Sequence, residues 1–180
     1  MHKELHYSDV LLLPNMAEVN SRSDVFIEQT LGNIRWDLPI VPANMKTIIN
    51  FNLAEWLVDH NHFYVMHRFG IDIVQFAKDI YDAVKIVSIS VGVNDDSKEV
   101  ITKLSEQKIP VDYVTIDIAH GHCPKMRDML HFIKIALPKV FIIAGNVCTA
   151  DGTEDLCLWG ADAVKVGVGP GAVCETKNST

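Results

Sequence analysis

The sequence lacks the features that mark several classes of protein. Its 180 residues include only four cysteines, and none of them forms a C-x-x-C pair: Cys123, Cys148, Cys157 and Cys174. This spacing predicts free thiols in a reducing cytosol rather than a disulfide-linked secreted domain. No apolar run approaches the ~18 residues of a membrane span, and the first residues do not resemble a signal peptide. We therefore expect a cytoplasmic protein that does not enter a membrane.

The chain also has fewer positively charged than negatively charged residues. The chain has 16 Lys and Arg residues against 23 Asp and Glu residues, which gives a net charge of −7 and a pI of about 5.5. A nucleic-acid-binding surface needs clustered Lys and Arg, so we expect no nucleic-acid partner. A small nucleotide remains possible, because backbone N–H groups can hold phosphate without net positive charge.

Linkers, low-complexity segments and blocks of like charge are absent as well. Hydrophobic residues make up 48% of the chain, enough to bury a core. We therefore expect a single domain over residues 1–180. Residues 1–36 resemble a lead-in with a hairpin, in which Val25–Leu31 and Ile34–Trp36 flank the turn signal Gly32-Asn33. The pattern of residues 37–180 predicts repeated βα units.

Apolar, β-branched runs alternate with helical periodicity along residues 37–180. The predicted strands are Pro39–Ala43, Phe63–Met66, Ile86–Val91, Tyr113–Ala119, Phe141–Ala144 and Ala163–Val168. The predicted helices are Phe51–Asp59, Ile73–Tyr81, Lys98–Gln107, Lys125–Ala136 and Thr153–Leu158. This alternation predicts an α/β fold with a parallel sheet. Six strands are compatible with a doubly wound sheet or with part of a barrel.

The most informative stretch runs from Gly160 to Lys177, GADAVKVGVGPGAVCETK. A short strand leads into a loop with three glycines, and Cys174 follows the loop. Glycines allow the backbone to adopt positive φ and to approach a ligand closely. A cysteine on such a loop is a candidate nucleophile, and a packed, unreactive cysteine is the alternative.

This stretch closely resembles the catalytic loop of the IMP dehydrogenase and GMP reductase family. The resemblance extends from Tyr7 to Lys177 and includes the segments YSDVL, PIVPANM, IDIAHG and IIAGN. It implies a (β/α)8 TIM barrel, of which the chain would supply strands one to six and the N-terminal hairpin. An unclosed barrel leaves two strand edges unpaired, so we expect that further chain or a partner covers them or that the strands repack.

The resemblance also implies the chemistry. Cys174 would attack C2 of a purine nucleotide, and Thr176 would assist proton transfer together with a glutamate from the family's second half. The family's regulatory insertion after strand two is absent here, which favours NADPH-dependent reductive deamination of GMP to IMP. Oxidation of IMP to XMP with NAD is the alternative within the family. A truncated, non-catalytic half-barrel that binds a partner is the alternative outside it.

Further site residues follow from the same resemblance. Asn44, Met45, Gly171 and Ala172 would bind the substrate, with core packing as the alternative for Asn44 and Met45. Ala172 replaces a serine that many members use on the phosphate. Asp117 would lie near the nicotinamide of NADPH or the substrate ribose, with helix capping as the alternative. His67 and Arg68, which follow predicted strand two, could reach the cofactor phosphate, and a solvated helix entry is the alternative for them. Backbone carbonyls of Gly169, Gly171 and Cys174 would hold a monovalent cation such as K⁺. The family's tetramers imply a homo-oligomer.

Two pairs of closely spaced histidines are candidate metal ligands. His60 and His62 stand two residues apart, as do His120 and His122. Neither pair has cysteine partners or the helical spacing of a zinc site, so we do not predict a metal there.

Overall fold

A four-stranded parallel sheet with helices on one face forms the body of the protein. The computed structural model describes residues 9–169. The sheet contains β3 (Ser88–Val91), β4 (Tyr113–Asp117), β5 (Phe141–Val147) and β6 (Ala163–Val166), hydrogen-bonded in that order. Every pair is parallel, as the predicted βα alternation requires. This α/β arrangement is consistent with part of a (β/α)8 barrel.

In the described part of the chain, five α-helices connect and flank the strands. They are α1 (Phe51–Asp59), α2 (Ile73–Val84), α3 (Asp95–Glu106), α4 (Pro124–Ala136) and α5 (Ala150–Leu158). Four of them begin at a residue whose side chain accepts a backbone N–H of the first turn: Asn50, Asp72, Asn94 and Thr149. α4 instead begins with Pro124 in its first turn, where a missing N–H costs nothing. None of the helices in residues 9–169 is long and apolar enough to cross a membrane.

The first two predicted strands are not formed as such. Pro39–Ala43 has no strand assignment, because Pro39 and Pro42 carry no N–H to donate to a ladder. Phe63–Met66 contributes a single parallel bridge, between Met66 and Ile89. The prediction of six full strands was therefore wrong for these two segments, while the other four strands are confirmed with shifted ends.

The predicted hairpin is present, although its first strand is shorter than Val25–Leu31. β1 (Gln29–Leu31) pairs antiparallel with β2 (Ile34–Trp36), and Gly32 takes a φ of +63° in the turn. Leu31 and Ile34 pack against a cluster that includes Trp36, Phe63 and Tyr113. The hairpin thus covers the amino-terminal end of the sheet.

The two faces of the sheet carry different cores. Alternate residues of the strands, such as Ile89, Val114 and Ile142, pack against the helices in the main core. The residues between them face the other side, which we call the inner face. Near the strand starts this face is aromatic: Tyr113 lies 4.9 Å from Phe63 and 5.7 Å from Phe141, measured between ring centroids. The aromatic packing seals the amino-terminal end, which leaves the carboxyl ends of the strands for polar groups.

Two aspartates bind neighbouring strands together at their starts. Asp112, just before β4, accepts the backbone N–H of Val87 at 2.8 Å. Asp162, just before β6, accepts the backbone N–H of Ile142 at 2.8 Å. It also accepts a hydrogen bond from Lys134 Nζ. Burial raises the pKa of the Asp112 carboxyl, and the bond from Val87 opposes that shift only in part. Ionisation of buried Asp112 therefore costs free energy, and a neutral amide side chain at this position would avoid that cost.

Tyr113→Phe tests the contact between hairpin and sheet. The Tyr113 hydroxyl donates to the carbonyl oxygen of Leu31 at 2.8 Å across 82 residues of sequence. We expect its loss to lower the free energy of unfolding by about 1 kcal/mol, the usual net value of one such bond. Chemical denaturation measures this, with Tyr81→Phe as the control, because the described residues offer the Tyr81 hydroxyl no hydrogen-bond partner. Equal effects of the two substitutions would contradict the assigned contact.

Asp112→Asn tests the buried carboxyl through its pH dependence. The raised pKa means that folded Asp112 keeps its proton to a higher pH than the unfolded side chain, whose pKa is about 3.9. Between those two values the folded state binds more protons, so wild-type stability falls as pH rises and then levels off. The difference in free energy of unfolding, Asp112→Asn minus wild type, should therefore be more positive at neutral pH than at about pH 4. Denaturation curves at both pH values measure the difference, and a difference of the opposite sign would refute the assignment.

Candidate nucleotide site

Polar side chains from three segments meet at the carboxyl ends of the strands on the inner face. Asp117 ends β4, Lys165 lies in β6, and Asn44 follows the segment in which strand one was predicted. Lys165 Nζ donates to Asp117 Oδ1 at 2.7 Å and to Asn44 Oδ1 at 3.2 Å. Asn44 Nδ2 donates to Asp117 Oδ2 at 2.9 Å. We call these three side chains the Asn44–Asp117–Lys165 network.

The network is accessible from solvent. The side chain of Asp117 is 25% exposed and that of Lys165 is 36% exposed. Each Asp117 oxygen accepts one bond within the network, so each retains a lone pair for another donor. Vicinal hydroxyls, as in a ribose, are donors that such a carboxylate can accept. The structure thus brings together Asn44 and Asp117, both predicted from the sequence, and the Asp117 oxygens can each accept a further hydrogen bond.

Lys165 was missed by the sequence analysis. It lies within the predicted strand Ala163–Val168, where it was read only as part of a β run. A signal was available, since a lysine inside an otherwise apolar strand needs an anionic partner or a path to water. Nothing in the sequence named that partner, because Asp117 lies 48 residues away. The strand register supplies this information.

The end of β5 is held between two loops. Gly121 donates to the carbonyl oxygen of Asn146 at 2.7 Å, and a Cβ at Gly121 would come within 2.9 Å of that oxygen. Asn146 Nδ2 in turn donates to the carbonyl oxygen of Gly167 at 2.7 Å. Asn146 therefore fixes the first residue of the glycine-rich loop. Gly169, two residues on, has a φ of +59°.

His67 and Arg68 lie after the Met66 bridge, close to α2. His67 is buried, and its Nδ1 accepts the backbone N–H of Phe69 at 3.1 Å. Burial lowers the pKa of His67, and the charge of Lys46 adds to that shift. The guanidinium carbon of Arg68 lies 4.5 Å from the centroid of the Phe69 ring. Buried Arg68 Nε has no hydrogen-bond partner among the described residues.

The remaining predicted positions divide into two groups. Met45 is exposed next to Asn44, so its side chain is free to contact a ligand. Gly171, Ala172, Cys174 and Thr176 lie outside the described residues, and their roles stay predictions.

One histidine of each pair hydrogen-bonds a neighbouring residue. His60 stacks on Trp56 with 4.0 Å between ring centroids, and its Nδ1 lies 2.7 Å from the Trp56 carbonyl oxygen. His122 Nε2 lies 2.7 Å from Asp155 Oδ2. Within residues 9–169, no group of three or more His, Cys, Asp or Glu side chains is arranged to hold a metal ion.

Comparison with known proteins agrees with this geometry. The family model described as the IMP dehydrogenase / GMP reductase domain matches residues 4–180. A GMP reductase of Mesoplasma florum is 49% identical over 97% of this chain and 55% of its own length. Those of Mycoplasma mycoides subsp. mycoides and Paracidovorax citrulli are 48% and 47% identical over 99% and 97% of the chain, and 56% and 54% of their own lengths.

The chain spans about half the length of the curated relatives it matches. The matched half includes all three members of the network and the cysteine loop, because the family model continues to residue 180. On the strength of that match, this chain belongs to the IMP dehydrogenase / GMP reductase domain family.

Proposed function

We propose that this chain carries the catalytic cysteine half of a GMP reductase, which converts GMP to IMP and ammonia with NADPH. The observation that carries the proposal is that several relatives at 45–49% identity over 97–99% of the chain are named GMP reductase. The Asn44–Asp117–Lys165 network supports it, because polar groups converge where a parallel barrel builds its active site.

Cys174 is assigned the central bond-forming step. Its thiolate would attack purine C2, which two ring nitrogens make electrophilic, and the exocyclic amine would leave as ammonia. Thr176, two residues on, would pass a proton to the departing amine. A hydroxyl cannot supply that proton alone at neutral pH, so Thr176 acts as a relay from a stronger acid.

The residues at the carboxyl ends of the strands fit a dinucleotide such as NADPH. When bound, NADPH supplies the hydride that reduces C2. Asp117 would accept ribose hydroxyls with the lone pairs that the network leaves free. Arg68 would meet a phosphate with its guanidinium charge, and His67 would support the Arg68 loop through its bond to Phe69.

Substrate binding is assigned to the neighbouring loops. Asn44 and exposed Met45 would line the purine pocket, and the backbone around Gly171 and Ala172 would hold the phosphate. Carbonyl oxygens of Gly169, Gly171 and Cys174 would bind a monovalent cation such as K⁺, since carbonyls suit hard cations. The bond from Asn146 to Gly167 supports this assignment, because it orders the start of that loop.

Assembly and location complete the proposal. We propose a homotetramer in the cytosol, as in the family that the sequence resembles. Size-exclusion chromatography with light scattering measures the assembly, and a monomer at all concentrations would refute it.

GMP-dependent oxidation of NADPH tests the proposed reaction. In a protein that also contains the family's second half with its glutamate, we expect the absorbance of NADPH to fall only when GMP is present, and Cys174→Ala to abolish the change because no other thiol replaces the nucleophile. Cys157→Ala is the matched control: its thiol is exposed on α5, so activity should be retained.

Three other results have distinct meanings. Reduction of NAD with IMP would place the protein in the dehydrogenase branch. Binding of both nucleotides without turnover would contradict catalysis by this chain. Failure to bind either nucleotide would favour the non-catalytic alternative.

A further inference from the structure

The register of the sheet places Lys165 and Asp117 on opposite sides of Gly145. Gly145 pairs with Asp117 on one neighbouring strand and with Lys165 on the other. Residues paired in this way direct their side chains to the same face of a sheet. Lys165 therefore has to cross β5 above Gly145 before it can reach the Asp117 carboxylate.

Only glycine permits this crossing. A Cβ added to Gly145 would lie 2.5 Å from Lys165 Cβ and 2.8 Å from the Lys165 carbonyl oxygen. The second of these atoms belongs to the backbone, so a rotation of the lysine side chain could not relieve the clash. Gly145 is thus the gap through which the two outer strands make contact.

The hydrogen bonds fix the Asp117 carboxylate from two sides. Lys165 holds Oδ1 and Asn44 holds Oδ2, and Lys165 also binds Asn44 Oδ1. Two of the three lysine N–H groups are used in this way. The carboxylate plane is therefore set before any ligand arrives, and a group held in its bound orientation loses less entropy on binding.

Stability alone does not account for the contact. Both side chains of the Lys165–Asp117 pair are partly exposed, and ion pairs of that kind contribute little to folding. The same chain offers a comparison in Lys134 and Asp162, a 2.8 Å pair with side-chain exposures of 35% and 33%. That pair lies at the opposite, amino-terminal end of β6.

We propose that Lys165 is a positioning residue, which crosses β5 at Gly145 and holds the Asp117 carboxylate in the orientation that accepts a ribose of the nicotinamide cofactor. The inference rests on the proposed function, because it assigns Asp117 to that cofactor. It adds a role for Lys165 and Gly145, neither of which carries a role in the proposed reaction.

Lys165→Met tests the role through NADPH affinity, measured by fluorescence titration of the full chain. We expect the dissociation constant to rise about three- to tenfold, the factor expected when one side chain has to be ordered on binding. Lys134→Met is the matched control and should leave the affinity unchanged. Circular dichroism checks that each variant is folded, and Lys165→Gln replaces the methionine variant if that one is not.

A double-mutant cycle with Asp117→Asn separates positioning from direct contact. If Lys165 acts through Asp117, its removal in the Asp117→Asn background should change the affinity less than about twofold, because coupled sites are not additive. An equal loss in both backgrounds would overturn the inference. If Lys165→Met binds NADPH with wild-type affinity, the inference is wrong. The proposed function is not affected by that result, because the wild type still binds NADPH. Failure of the wild-type chain to bind NADPH would overturn both.

Gly145→Ala displaces the lysine without removing a polar group. We expect it to weaken NADPH binding at least as much as Lys165→Met, since the added methyl group clashes with the backbone of β6. The same titration measures this. A folded Gly145→Ala variant with wild-type affinity would show that the crossing is not needed.

Discussion

The contact between Lys165 and Asp117 is the interaction that organises the functional end of this molecule. It joins β4 to β6 across β5, two strands that share no backbone hydrogen bonds. Through Asn44 it also ties in the loop that precedes α1. Three segments far apart in sequence thereby present one polar surface. The contact exists because a single position on the intervening strand carries no side chain.

The two ends of the sheet have opposite chemistry. At the amino-terminal end, the hairpin and the rings of Trp36, Phe63 and Tyr113 exclude water from the inner face. Stability at that end comes from aromatic burial and from the aspartates that link the strand starts. At the carboxyl end the inner face is polar and partly exposed. This division between a structural end and a reactive end is typical of parallel barrels.

Much of the fold could be predicted from the sequence. The five helices follow from their apolar periodicity, and α1 begins and ends at the predicted residues. Four strands follow from continuous apolar runs. The segment Pro39–Ala43 forms no strand despite its apolar composition, because its two prolines prevent a ladder.

The site could be predicted only in part. Asn44 and Asp117 were expected from family motifs, and the structure brings them within hydrogen-bonding distance. Lys165 and Gly145 were not expected, because their importance depends on strand register rather than on a local pattern. Local sequence specifies a β run. It does not state which residues of neighbouring strands will lie side by side.

The central proposal is that Cys174 attacks C2 of a purine nucleotide. The most direct measurement is peptide mapping by mass spectrometry after incubation with 2-chloroinosine 5′-monophosphate. The thiol would lose its proton to solvent, the thiolate would bond to C2 and chloride would leave, so a stable thioether would record the site of attack. The account predicts one adduct, on the peptide that contains Cys174 and absent from Cys174→Ala. An adduct on Cys123, Cys148 or Cys157 instead, or no adduct at all, would contradict it.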